Sequence, residues 1–247
     1  LAAIYRQLCH LGDVVVVAPT DSQSGASHSV TFFEPLGCTK VEIEGLFTGF
    51  GVHGSPADCV KLAVMQLHEK PFDLVVAGIN NGANVGINLN YSGTVCAAKE
   101  AAIYGIPAIA VSMPGSEPTH YETAAGFTLA LAAAVRRRGL PPGIFLNVNV
   151  PDQPREKIAG IKISRQGTKP FIEYVEKRTD PRRRTYYWQG CDSLPAGKST
   201  DIDGSALCKD FISITPIKCD HTDYEALDNI KNWRIITQSK EEKLSQK

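Results

Sequence analysis

Between Gly78 and Val95 the chain reads GINNGANVGINLNYSGTV, with five asparagines and four glycines in eighteen residues. An apolar run, FDLVVA, precedes this stretch and a helix-like run, CAAKEAAIYG, follows it. Asn80 comes directly after VVAGI, so its amide projects at the rim of a sheet. An asparagine offers a carbonyl oxygen to a hard cation or an NH2 to a phosphate oxygen. Glycines at 78, 82, 86 and 93 let the backbone come close to a ligand. YSGTV then opens the helix, where unpaired backbone N–H groups and the hydroxyls of Ser92 and Thr94 form an anion cradle. The stretch is shaped for a phosphate beside a metal. The plainer reading is a loop of the commonest loop residues with a routine serine N-cap. Neither G-x-G-x-x-G nor a Walker A pattern accompanies it.

Such residues act only if strands and helices bring them together. The runs DVVVVAP (13–19), FDLVVAGIN (72–80), IPAIAVSM (106–113) and GIFLNVNVP (143–151) read as buried strands. HSVTFFEPL and CTKVEIEG read as further strands, a hairpin or arm. Helices are expected over the opening LAAIYRQLCHLG, after Ser55-Pro56, from Ser92 to Tyr104 and over 120–139. This alternation argues for a doubly wound, three-layer α/β fold with a mostly parallel sheet. Ligands in such sheets bind beyond the carboxyl ends of the strands. Two further polar loops leave those ends, PTDSQSGASHS (19–29) and GSPADC (54–59). Taken singly, Ser24 reads as a turn residue, Asp58 as a helix-start charge, and His28 and His53 as structural or solvent-facing. Arg136 to Arg138 suit a helix C-terminus, and Pro181 to Arg184 an exposed loop or interface.

After Pro151 the texture changes. IAGIKISRQG, FIEYVEKRT, RRTYYWQG and GSALCKDFISITPI read as strands with exposed charge between them, DYEALDNIKNW as a closing helix, and SKEEKLSQK as a frayed end. We therefore divide the chain into an α/β core, 1–151, and an extension of the same domain, 152–247, with the character of an association arm.

Bulk properties limit what the chain could do. There are 26 basic and 26 acidic residues, so a global electrostatic grip on a nucleic-acid polymer or an anionic membrane is not expected. No apolar run nears the roughly 20 residues needed to cross a bilayer, and no secretory signal is visible. Seven scattered cysteines without a CxxC pair suit free thiols in a reducing, cytoplasmic setting. The first residue, Leu1, falls inside a helix pattern, which leads us to expect a strand upstream that would give VVVVA its second neighbour.

In combination these stretches carry more than they do singly. VVVVAPTDSQSGASHSVT, GSPADCV, DLVVAGINNGANVGINLNYSGTVCAAKEA, GIPAIAVS, FLNVNVP, IKISRQGT and SITPI follow one another in this order. The set resembles the SurE (survival protein E) family of 5′/3′-nucleotidases over nearly the whole chain. The resemblance implies a Rossmann-like core with a C-terminal, β-rich extension used for homodimers or homotetramers. It implies hydrolysis of nucleoside monophosphates, in some members also of short polyphosphate, with a divalent cation, Mg2+ or Mn2+. It assigns the metal to Ser24, to Asn80 and to two adjacent aspartates of an NDDG motif, and the phosphate to Ser92, Gly93 and Thr94. No NDDG occurs in these 247 residues. The catalytic aspartates are thus expected upstream, and the 247 residues alone are expected to turn over poorly. Two other classes stay open: a non-catalytic nucleotide- or phosphate-binding module, and an oxidoreductase, which would need a glycine fingerprint that is not visible.

Overall fold

The computed structural model describes residues 1–43, 45–168, 173–191 and 199–233. Along the chain come α1 (Ala2–Leu8), β1 (Val17–Pro19), β2 (Gly37–Ile43), β3 (Phe47–His53), α2 (Pro56–Leu62), β4 (Val75–Asn81), α3 (Gly93–Ile103), β5 (Ala108–Met113), α4 (Tyr121–Arg138) and β6 (Ile144–Asn149). Then follow β7 (Gly160–Ile163), β8 (Glu173–Thr179), β9 (Thr185–Cys191), α5 (Asp203–Leu207), β10 (Phe211–Lys218) and α6 (Tyr224–Ile230). The largest sheet has the order β4-β5-β6-β10-β7. Its strands β4, β5 and β6 run parallel, β10 is antiparallel to β6, and β7 is parallel to β10. A second sheet, β1-β3-β2, pairs β1 parallel and β2 antiparallel to β3. The architecture is the expected mixed α/β with a mostly parallel centre and a β-rich region late in the chain.

The central strand β5 shows why the layers form. Every residue of it is buried, as a continuous apolar run requires of a strand covered on both faces. Ile109, Val111 and Met113 meet Ala124, Ala132 and Val135 of α4 on one face. On the other face Ala108 and Ala110 meet Val95, Ala98, Ala101 and Ala102 of α3. Small residues on both sides of that second contact let α3 lie close to the sheet. Its N-terminus is thereby delivered to the rim where β4 ends. At the far side, Arg136 in the last turn of α4 donates from Nη1 to the carbonyl of Leu11 at 2.7 Å.

Three expectations need correction. The strand expected over 28–36 is absent, and Phe32 and Phe33 stand 76% and 101% exposed. Thr31 gives its backbone N–H to Asp58 instead of a ladder, and β3 is already paired on both sides, by β1 and β2. The stretch read as a strand from Gly204 begins as helix α5, and the strand starts only at Phe211. The carboxylate of Asp203 accepts the N–H of Gly204 at 2.7 Å and turns the chain there. The run DVVVVAP pairs over Val17–Pro19 alone. Residues 14–18 and 75–79 are half-buried where full burial was expected, because β1 and β4 each have one unpaired edge. Residues of both strands line one slot of about 620 Å³, and Asn80 and Thr94 line it too. The closing helix forms over Tyr224–Ile230, while the first residues of FIEYVEKRT and all of SKEEKLSQK lie outside the described residues.

Candidate phosphate and metal site

Three loops converge at the N-terminus of α3. The first observation is direct: Thr94 Oγ1 donates to Asn80 Oδ1 at 3.3 Å. Asn80 Nδ2 is held by the carbonyls of Gly82, at 2.7 Å, and Asn81, at 3.2 Å. With its NH2 group tied down, the carbonyl oxygen of Asn80 faces the helix. The backbone is aimed by a register shift between Ala77 and Asn80 in the β4–β5 pairing, which is how a bulge redirects a side chain.

The other two loops reach Gly93. A Cβ built there would lie 2.8 Å from Pro56 Cγ and 3.5 Å from the carbonyl oxygen of Gln23. The glycine therefore lets the 54–59 loop and the Gln23-Ser24 turn close on the helix end. Ser92 is the N-cap, and its Oγ accepts from the N–H of Val95 at 3.2 Å. That hydroxyl keeps its own proton to donate, and the N–H groups of Gly93 and Thr94 belong to the helix's free first turn. Ser27 closes the ring of loops, donating from Oγ to the carbonyl of Asn90 at 2.8 Å and from N–H to that of Tyr91 at 3.1 Å.

The supporting side chains read as structural in the sequence have structural partners. His28 Nε2 lies 2.7 Å from Glu100 Oε2, and Lys61 Nζ donates to Glu100 Oε1 at 3.0 Å. The buried Glu100 thereby ties the first loop and α2 to α3. His53 Nδ1 pairs with Thr20 Oγ1 at 3.0 Å. Pro181 to Arg184 lie at the turn of the β8–β9 hairpin, where Arg184 pairs with Asp180 at 2.9 Å. Four groups that matter were not singled out from sequence: Asn84, Asn149, Glu100 and Asp203. Their only signal is three-dimensional, since each bonds to residues far away along the chain.

Asp58 stitches the loops together. In a capping box, Ser55 Oγ accepts from the Asp58 N–H at 3.0 Å and Asp58 Oδ2 accepts from the Ser55 N–H at 2.9 Å. The same carboxylate takes the N–H and hydroxyl of Thr31 at 2.9 and 2.8 Å. Burial pushes the Asp58 carboxyl upward, but the hydrogen bonds from Thr31 and Ser55 outweigh it and hold the pKa below the usual carboxylate value. A depressed folded-state pKa gives stability that is complete above the unfolded pKa. It is lost as pH falls through the folded one. Asp58→Ala is expected to cost about 3 kcal/mol near neutral pH. In denaturant titrations the gap to wild type should narrow as pH falls through that lower value. A gap that stays constant with pH would contradict the assignment.

An open α/β sheet with three polar loops gathered over one helix N-terminus presents free backbone N–H groups at the rim where sheets of this class take their ligands. The family model "Survival protein SurE" matches residues 1–173. The chain belongs to the SurE family. It is 50% identical to the 5′-nucleotidase SurE of Desulfatibacillum aliphaticivorans, over 95% of this chain and 93% of that protein. Identity to the 5′-nucleotidase SurE of Syntrophobacter fumaroxidans is 44%, over 95% of this chain and 94% of the relative. The crystal structure of the SurE protein from Aquifex aeolicus superposes with a TM-score of 0.79 at 39% identity, covering 93% of this chain and 92% of that one.

The donor set bears on a metal. Ser24 and Asn80 present neutral, hard oxygen atoms of the kind Mg2+ and Mn2+ accept. They bring no charge, and among the described residues no three His, Cys, Asp or Glu side chains group as a metal site. They fit the neutral half of a ligand set whose charged half is carboxylate.

Proposed function

We propose that this protein is a metal-dependent phosphomonoesterase that hydrolyses nucleoside 5′-monophosphates, and also 3′-monophosphates and short polyphosphate. The observation that carries the reading is the meeting of Asn80 and Thr94 at the N-terminus of α3. The relatives' printed name, 5′-nucleotidase, supports the substrate class. In this reading the N–H groups of Gly93 and Thr94 and the hydroxyl of Ser92 donate to the phosphoryl oxygens. These donors are fixed before the reaction and aimed where negative charge grows, which is where they lower the barrier. Ser24 and Asn80 hold the divalent cation, Mg2+ or Mn2+, together with the adjacent aspartates of the family motif. When bound, the cation polarises a phosphoryl oxygen.

We propose that the aspartates of the family motif lie beside Asn80 and Thr94, which line the same slot as residues of β1 and β4. We also propose that residues 152–247 belong to the same domain and carry association into a homodimer or homotetramer. Tyr187 and Trp188 on β9 are 63% and 58% exposed, and Tyr224 and Trp233 around α6 are 64% and 62% exposed. A two-stranded ribbon is marginal in water by itself, so β8–β9 needs a surface to lie on. Light scattering is expected to give at least twice the 26.7 kDa chain mass; a monomer at micromolar concentration would sink this part. Among the described residues no helix is long and apolar enough to cross a membrane. Unpaired thiols at Cys9, Cys38, Cys59, Cys96, Cys208 and Cys219 support a cytoplasmic setting.

The deciding experiment measures phosphate release from AMP with Mn2+, with Mg2+ and with EDTA. It is run on the 247-residue chain and on a form extended upstream through the aspartate motif. Metal-dependent release by the extended form, with far less from the 247 residues, is the expected result. Saturable AMP binding without release in both forms would favour a non-catalytic binding protein.

A further inference from the structure

The loop between Asn80 and Ser92 is pinned at its middle by side chains from the far end of the chain. Asp203, fully buried at the start of α5, accepts at Oδ2 from the N–H of Gly86 at 2.8 Å. Its Oδ1 accepts from Gly167 at 3.0 Å and from Gly204 at 2.7 Å. The carbonyl of Gly86 is taken as well, by Gln166 Nε2 at 3.0 Å. Both polar groups of one glycine are thus held by residues 117 and 80 positions further on. Gly86 sits at φ +60, the left-handed region. A Cβ at Gly167 would lie 3.5 Å from its Cα, so the two backbones are in direct contact. Val85 is fully buried against Leu207 of α5.

One residue earlier a second set of bonds meets the same loop. The N–H of Asn84 donates to Asn149 Oδ1 at 2.8 Å, and its Nδ2 donates to Ser112 Oγ at 2.7 Å. Its carbonyl accepts from Asn147 and Asn149 at 2.8 and 2.9 Å. Residues 84–86 therefore have almost no freedom. On either side lie the groups given chemical roles, Asn80 before and Ser92 to Thr94 after.

We propose that Asp203 is a positioning residue for the phosphate site. Its hold on the Gly86 N–H sets the path of the loop that keeps Asn80 Oδ1 within reach of Thr94 Oγ1. The inference rests on the phosphate reading of Ser92 to Thr94. The chemistry of the group supports it. A buried carboxylate is costly to desolvate, and only an acceptor on both oxygens can hold these three N–H groups at once. An asparagine in its place keeps one acceptor. Turning that oxygen to Gly167 and Gly204 saves two bonds and sets an NH2 against the Gly86 N–H. Asp203→Asn therefore strikes the Gly86 clamp while sparing the rest of α5. Small displacements of positioning groups are enough to cost one to two decades in affinity or rate.

The test titrates inorganic phosphate into the 247-residue chain and follows the backbone amide resonances of Gly93 and Thr94. It compares wild type, Asp203→Asn and Ile212→Val, the last a methylene deletion in the core of β10. Asp203→Asn is expected to weaken phosphate binding about tenfold and to speed hydrogen exchange at Gly86. Ile212→Val is expected to lower the Tm and leave both unchanged. Equal phosphate affinity in wild type and Asp203→Asn overturns the role of Asp203 alone, and so does equal weakening in Ile212→Val. A wild-type chain that takes no phosphate at these amides overturns the phosphate reading and the positioning role with it. Should Asp203→Asn fail to fold, Gln166→Ala carries the test, because it loosens the same glycine through its carbonyl. Unchanged affinity in that variant overturns the clamp.

Discussion

Asn80→Ala in the extended form is expected to lower metal-dependent phosphate release from AMP by about 100-fold, the usual loss when one preorganised polar group at a phosphoryl or oxyanion site is removed. The side chain is held at three points, by the carbonyls of Gly82 and Asn81 and by the hydroxyl of Thr94. Alanine removes the oxygen and all three restraints. The loss should fall mainly on kcat and on the metal concentration needed for half-maximal rate, because Asn80 is assigned to the cation. The fold should survive, since Asn80 sits at the rim and outside the apolar clusters on the two faces of the sheet. Asn80→Asp keeps an oxygen at the same place and should retain more activity than Asn80→Ala. If Asn80→Ala keeps wild-type kcat and metal requirement, the metal is not at this loop. Rates that fall in step with a loss of native circular dichroism would instead mark Asn80 as structural.

The second large effect concerns folding. Gly78→Ala is expected to destabilise the protein by more than about 3 kcal/mol, from a left-side backbone conformation and a collision that cannot relax. Gly78 has φ +136, and a Cβ there would lie 2.5 Å from the carbonyl oxygen of Val111. That oxygen belongs to the fully buried central strand β5, so neither partner can move without opening the sheet. A loss of this size is a large share of the 5–15 kcal/mol that holds a domain together. Urea titration of the variant is the direct check. Gly126→Ala in α4, where a Cβ would meet nothing within 4 Å, is the matched control and should be neutral or stabilising. Equal midpoints for the two variants would show that the close approach of β4 to β5 is not as tight as described.

Much of the arrangement was legible before any coordinates. The apolar runs that became β4, β5 and β6, and the capped helices between them, follow from local periodicity and end signals. Ser55-Pro56 followed by Asp58 announced a helix start and formed a capping box. Failures came where a partner elsewhere decided the outcome. Residues 28–36 have strand-like composition, yet Asp58 takes the Thr31 N–H and the ladder is lost. The valines at 14–17 suit a strand buried on both faces, but only the β3 side pairs, and the run is half-buried.

The sequence by itself determined which residues could do chemistry: the amide-rich loop after β4, the serine that caps α3, and the glycines that leave the backbone open to close approach. These are local facts of donor type, backbone freedom and helix ends. Tertiary structure alone decided that Asn80 meets Thr94, that Glu100 ties His28 and Lys61 to α3, and that Asp203 reaches Gly86 across 117 positions. Pairings of that kind depend on how the sheet orders its strands and where α3 and α5 pack. No periodicity or spacing within a short window encodes a distance set by the packing of the whole sheet.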